Sequence, residues 1–223
     1  MSREVIIEST ADGSHTLFVP SMNEHYHSVN GAKQESEHIF IKAAFEATAK
    51  DPVNILEIGF GTGLNTYLTL QAAHARNRKV YYTSLELYPL PPSITDKLNY
   101  GDGDLLEDQA LFKKIHHLPW ETQCKVSEHF LLTKICTDFT KMEWEIKRPY
   151  DIIYFDAFAP DKQPDMWNQI MFDYLYEHTA SEGILTTYCA KGEVRRMMQQ
   201  SGYLVERLPG PPGKREMLRA RKG

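Results

Sequence analysis

At 223 residues, 42% of them hydrophobic and 25% charged, the chain is long enough to bury a substantial core but short for two full domains, so one domain with modest additions is expected. No apolar run is long enough to span a bilayer, and the opening MSREVIIEST has too short an apolar stretch for a secretory leader, so the expected setting is the cytoplasm, away from membranes. The net charge of −5 argues against non-specific affinity for nucleic acid, and three cysteines (Cys124, Cys136, Cys189) without a CxxC pair argue against a disulfide framework and a metal site.

Residues 1–33 read as a small β-hairpin extension, with strands at 5–7 and 17–19 around the Asp12-Gly13 turn. Residues 34–223 form the main domain. A helix is expected from Gln34, with Phe40, Ala43, Ala44 and Ala47 on one face, ending before Asp51-Pro52. Val53-Asn54-Ile55-Leu56-Glu57-Ile58 is a strand. After a glycine loop, Leu64, Tyr67, Leu68, Gln71, Ala72 and Ala75 mark the apolar stripe of a helix, and a strand over 80–85 closes a βαβ unit with a right-handed crossover.

The loop of that unit reads Glu57-Ile58-Gly59-Phe60-Gly61-Thr62-Gly63-Leu64-Asn65. Its glycines permit a tight turn and close approach of a ligand. A dinucleotide fingerprint would place its third glycine at position 64; that position holds Leu64, which disfavours a nicotinamide oxidoreductase. The E-x-G-x-G-x-G pattern instead resembles motif I of class I S-adenosylmethionine-dependent methyltransferases. The resemblance implies that Glu57, Gly59, Gly61, Gly63 and Asn65 flank the methionine and ribose portions of S-adenosyl-L-methionine.

Glu86 ends the second strand, where a carboxylate can accept hydrogen bonds from both ribose hydroxyls. The segment 88–120 is long for a connection and proline-bearing, so it is expected to be a partly helical insertion near the ligand crevice. A strand over 131–136 precedes Asp138, which by resemblance accepts from the adenine amino group. The apolar strand 150–155 runs into Asp156-Ala157-Phe158-Ala159-Pro160. An acid followed by an aromatic residue and a proline resembles the arrangement of amino-group methyltransferases, in which a carboxylate holds the target nitrogen beside a stacked base. Asp156 is therefore assigned to both the cofactor and the catalytic site. Because an adjacent carboxylate favours the protonated form of an amine, its expected role is to orient the nitrogen.

Helices are expected over 165–179 and 191–201, a strand over 183–189, and strands over 203–208 and 214–220 around Gly210-Pro211-Pro212-Gly213, forming an antiparallel edge hairpin. Strands alternating with helices predict a mostly parallel sheet covered on both faces, the Rossmann-like α/β fold of class I methyltransferases. Residues 191–223 hold nine Lys or Arg against three Glu, a net of +6, so the remainder carries −11. This tail is the one evident face for an anionic partner.

EIGFGTGLN, SLELYPL, DAFAPDKQPDMW, KREML and the upstream YHSVNGAKQESEHIFI together resemble the methyltransferase half of the bifunctional tRNA 5-methylaminomethyl-2-thiouridine biosynthesis family, over roughly residues 24–219. The resemblance implies methylation of the aminomethyl group on a wobble uridine, with the tRNA anticodon stem-loop as partner. It places Phe158, Ala159, Pro160, Lys162, Met166 and Trp167 around the base, and Lys214-Arg215-Glu216 near the crevice mouth. For Met166 and Trp167 the first turn of a packed helix is an equal alternative. No second glycine-rich nucleotide motif occurs, so FAD is not expected and the precursor group would come from other enzymes. Lys191-Gly192-Glu193 departs from the family pattern in being more charged. The rivals are an aminopropyltransferase of the spermidine synthase type, whose GGGDG-like loop is replaced here by GFGTG, and a non-catalytic tRNA-binding scaffold, against which the retained glycines and acids speak.

Overall fold

A computed structural model describes residues 4–102, 106–144, 146 and 148–223. The chain opens with β1 (Ile6–Ser9), β2 (His15–Val19) and β3 (Glu24–His25), a three-stranded antiparallel sheet. The expected hairpin is there, and β3 was not anticipated. Next comes α1 (Ala32–Ser36), a π-helical stretch (Glu37–Lys42) and a 3₁₀ turn (Phe45–Ala47). This replaces the single regular helix expected from Gln34. Ile39, Phe40 and Ile41 are all buried where the wider π-helical turn breaks the 3.6-residue period.

The main sheet has eight strands in the order β10-β11-β9-β8-β4-β5-β7-β6. They are β4 (Val53–Ile58), β5 (Val80–Glu86), β6 (Gln123–Ser127), β7 (Phe130–Cys136), β8 (Tyr150–Phe155), β9 (Thr179–Thr187), β10 (Leu204–Pro209) and β11 (Glu216–Arg221). The central β9, β8, β4, β5 and β7 are parallel, and both edges are antiparallel, closed by the β10–β11 hairpin and by β6, which was not expected. All six residues of β4 are buried, as a parallel strand covered on both faces requires. Alternation divides the core: Ile55, Tyr82, Ile152 and Tyr154 face one apolar layer, and Leu56, Ile58, Ile153 and Phe155 the other.

The helices are α2 (Leu64–Ala75), α3 (Pro92–Thr95), α4 (Leu106–His117), α5 (Gln169–His178) and α6 (Gly192–Ser201). In α2 every residue from Leu64 to Leu70 is buried while Ala75 is exposed, so the expected stripe is an enclosed first half instead. Thr66 and Thr69 are accommodated there by donating to the Glu57 carboxylate and the Asn65 carbonyl. Strand β9 begins earlier than expected: Thr179 pairs with Tyr150, a bulge with Glu182 at φ 60° follows, and the ladder resumes at Ile184 opposite Ile152. It ends at Thr187, which leaves Tyr188 and Cys189 in the loop beyond the strand. Among the described residues no helix is long and apolar enough to cross a membrane, and no cluster of His, Cys, Asp or Glu could hold a metal ion.

Candidate active site

Strand β4 has β5 on one side and β8 on the other, so the loops leaving their carboxyl ends run to opposite faces and part at β4. Ligands of open α/β sheets bind at such a switch point. A cavity of about 450 Å³ lies there. Its floor comes from the loops after β4, β5, β7 and β8. Its remaining walls are Glu24 to Val29 of the N-terminal extension, Glu35 of α1, Tyr188 after β9 and Lys214 from the β10–β11 turn.

Gly59 has φ +96°, and a Cβ there would stand 2.6 Å from the Asp156 carbonyl oxygen; at Gly61 it would stand 3.1 Å from Cδ1 of Tyr26. The close approach that these glycines permit is thus taken up by the protein's own chain, drawing the β4 loop against the end of β8 and beneath the extension. Gly61 N–H donates to Glu86 Oε2 at 2.9 Å, and Tyr88 N–H to Glu86 Oε1 at 2.8 Å, which fixes that carboxylate at the rim. Asp138 Oδ1 accepts from the amide and hydroxyl of Thr140 at 3.0 and 2.6 Å.

Asp156 lines the cavity, and its Oδ2 accepts from Asn65 Nδ2 at 2.8 Å. Burial pushes this carboxyl up from 3.8 to about 7; the Asn65 bond opposes the rise, Glu35 adds to it and Lys214 opposes it. Phe158 meets Tyr26 edge to face, ring centroids 5.0 Å apart, making an aromatic wall beside Asp156.

Gly59, Gly61, Glu86, Asp138, Asp156, Phe158, Ala159, Met166 and Lys214 are thus brought to one cavity. The other candidates are not. Gly63 caps α2 against His116, and Asn65 lies behind Asp156 and orients it. Pro160, Lys162 and the exposed Arg215 are placed off the lining. Trp167 is 5% exposed, packs 4.8 Å from the Phe155 ring and donates Nε1–H to the Phe158 carbonyl at 2.7 Å. It braces the aromatic wall from within the core, buried as in the packing alternative but ahead of α5 and not in its first turn.

Glu57, expected at the cofactor, is fully buried beneath the loop, where its Oε2 accepts from Thr66 and Ser84 hydroxyls. Burial pushes it up from 4.5 to about 8, opposed by those two hydrogen bonds, so it is a neutral acid tying α2 and β5 to β4. A group whose pKa is raised on folding stabilises fully below its unfolded value, and that contribution is lost as pH rises through the folded one. The contribution of Glu57 to stability against urea is therefore expected to fall between pH 5 and pH 8. Glu57→Gln, neutral throughout, should match the native protein at pH 5 and exceed it at pH 8 by up to about 4 kcal/mol. Equal pH dependence of the two proteins would show Glu57 to be ionised in the fold.

Sequence reasoning missed Tyr26, His27, Glu35 and Tyr188. Glu35 is 6% exposed; its Oε1 accepts from Lys214 Nζ at 2.7 Å and its Oε2 from Ser28 N–H at 2.8 Å. His27 meets the Thr62 hydroxyl at 2.7 Å, and burial pushes it down to about 4, which keeps it neutral. Of the two acids in AKQESEHIF, Glu35 reads as solvated just as Glu37 does. The one pattern that could have exposed it is its place just ahead of the unbroken apolar run Ile39-Phe40-Ile41.

A family model described as S-adenosyl-L-methionine-dependent methyltransferase matches residues 108–223. The tRNA 5-methylaminomethyl-2-thiouridine biosynthesis bifunctional protein MnmC of Cupriavidus metallidurans is 30% identical over 222 residues, 92% of this chain and 32% of that protein. The protein of the same name from Idiomarina loihiensis is 30% identical over 214 residues, 86% of this chain and 34% of its own length. The chain thus spans about a third of the length of these curated relatives. Among solved structures, MnmC2 from Aquifex aeolicus superimposes with a TM-score of 0.78 at 24% identity, over 98% of this chain and 70% of that one. Spermidine synthase from Thermotoga maritima superimposes with a TM-score of 0.59 at 14% identity, over 99% and 73%. Both share the fold.

Proposed function

This chain belongs to the S-adenosyl-L-methionine-dependent methyltransferase family, and from that premise we propose that it methylates the aminomethyl group of a modified wobble uridine in the anticodon stem-loop of tRNA, in the cytoplasm. The observation that carries this is Asp156: a carboxyl group at the switch point, beside the Phe158–Tyr26 aromatic wall, in the same cavity as Glu86 and Asp138. Support for the acceptor comes from two relatives named for that tRNA nucleoside, which match 86% and 92% of the chain.

The cavity fits S-adenosyl-L-methionine. Two carboxylates stand at successive strand ends, Glu86 for the ribose hydroxyls and Asp138 for the adenine amino group, with apolar Leu85 and Phe139 between them and the Gly59 to Gly61 loop alongside. When bound, the cofactor supplies a methyl group activated on a sulfonium sulfur. The protein's contribution is placement. Asp156 accepts a hydrogen bond from the acceptor nitrogen and aims its lone pair, Phe158 and Tyr26 hold the base face, and Met166 with the extension keeps water out. Lys214, at the acceptor end, adds positive charge close to where an RNA chain would enter.

Incubation with S-adenosyl-L-methionine is expected to add one methyl group to the aminomethyluridine of tRNA carrying that nucleoside, read by mass spectrometry of the digested nucleosides. Absence of the gain, with cofactor binding retained in a calorimetric titration, would remove this acceptor. The aminopropyltransferase reading shares only the fold with the structure that suggests it, and the same digest distinguishes it by the size of the added group.

A further inference from the structure

Besides Glu86 and Asp138, the charged groups that share the cavity with Asp156 are Glu24 of β3 and two that pair with each other, Glu35 and Lys214. A carboxylate as buried as Glu35 persists only when paired. Both of its oxygens are engaged, by Lys214 Nζ and by Ser28 N–H. Lys214 Nζ stands 4.0 Å from the centroid of the Tyr188 ring, and the Tyr188 hydroxyl donates to the carbonyl of Ala157, the residue after Asp156, at 2.9 Å. The two charges are therefore tethered to the chain that carries Asp156. They come from parts of the sequence nearly the whole chain apart.

From this juxtaposition we infer that Glu35 and Lys214 are a positioning pair that sets the charge carried by Asp156, Lys214 favouring the carboxylate and Glu35 opposing it. The benefit rests on the proposed methyl transfer. A carboxylate locked in its charged form would hold the acceptor as an ammonium ion, which has no lone pair to give. A carboxyl locked in its protonated form would not accept from the amine. A group poised between the two orients a neutral amine, and Asp156 is pushed up to about 7 by burial, with Glu35 and Lys214 acting in opposite senses.

The other groups facing Asp156 do not supply this balance. Asn65, from α2, is a neutral donor. His27, from the extension, stays neutral, and burial holds the Tyr188 hydroxyl protonated. Glu57 lies beneath on β4 and is neutral below about 8. Glu86 and Asp138 line the same cavity at the ends of other strands, and Glu24 and His25 line it from β3.

The test is a ¹³C NMR titration of the unliganded protein labelled at aspartate carboxyls, which excludes Glu57, with the Asp156 resonance identified by its loss in Asp156→Asn. The native midpoint is expected near 7. Glu35→Gln, which keeps the Ser28 bond, should lower it by about one pH unit, and Lys214→Met should raise it by less, because the Glu35 carboxylate it leaves unpaired takes up a proton more readily. The double variant should return towards the native value, and Lys214→Arg, which keeps the charge, should leave it in place. Unmoved midpoints in both single variants, or shifts in the same direction, would overturn the inference, since mere loosening of the wall gives no opposite signs. The pH profile of kcat/KM for methyl transfer should follow the same order. A native protein without methyl transfer would undo the proposed activity and leave the titration result standing.

Discussion

Asp156→Ala is expected to lower kcat for methyl transfer by about 10²-fold to 10³-fold, because alignment of the nitrogen is the largest contribution the protein itself can make to this reaction. Asp156→Asn should fall nearly as far, for a reason fixed by its neighbour. Asn65 presents Nδ2 to the side chain at 156. An asparagine at 156 would give its oxygen to Asn65 and turn its NH₂ into the cavity. That group would donate to the acceptor's lone pair and compete with the methyl carbon for it. Calorimetric binding of S-adenosyl-L-methionine within about tenfold of native would show the site still formed. Near-normal turnover of Asp156→Asn would exclude both a base and an orienting acceptor at this position.

Gly59→Ala should abolish cofactor binding altogether. At φ +96° an alanine is strained by about 1–3 kcal/mol, and its Cβ would lie 2.6 Å from a backbone oxygen that cannot swing aside. The loop must leave the end of β8, separating Asp156 from the cofactor side of the cavity. Gly61→Ala is the contrast. Its φ of +48° is one that other residues occasionally adopt, and the Tyr26 ring 3.1 Å away can tilt. A loss of S-adenosyl-L-methionine affinity above about 100-fold at position 59 and below about tenfold at position 61, with thermal unfolding showing both proteins folded, would bear this out. Equal losses would mean that ligand contact, and not chain contact, is what selects glycine here.

The parallel centre of the sheet was legible because each of its strands carries a short apolar stretch bounded by turn residues, and such a stretch has few other ways to be buried. Edge strands were harder. Gln123–Ser127 holds Gln123, Lys125 and Ser127 and reads as loop, since an edge strand needs only one covered face. The helix expected from Gln34 failed where the π-helical stretch breaks the period on which the expectation rested.

The residues themselves determined what is local or repeats along the chain: the glycine loop, the acids at the ends of β5, β7 and β8, and the aromatic residue after Asp156. These depend on strand ends, which follow from hydrophobic pattern and turn chemistry within a few residues. Only the tertiary structure decided which acids face the cavity. Glu57 and Glu86 are both acids at strand ends of the same unit, yet one is a neutral tie within the core and the other lies at the rim, because Glu57 stands inside the ladder opposite Ser84 while Glu86 lies beyond the last pair of β4 with β5, and the covering layers are built by distant segments. Likewise Glu35 and Lys214 meet at 2.7 Å across 179 positions of sequence. No spacing records such a pair: the extension and the closing hairpin come together only because both pack over the same switch point.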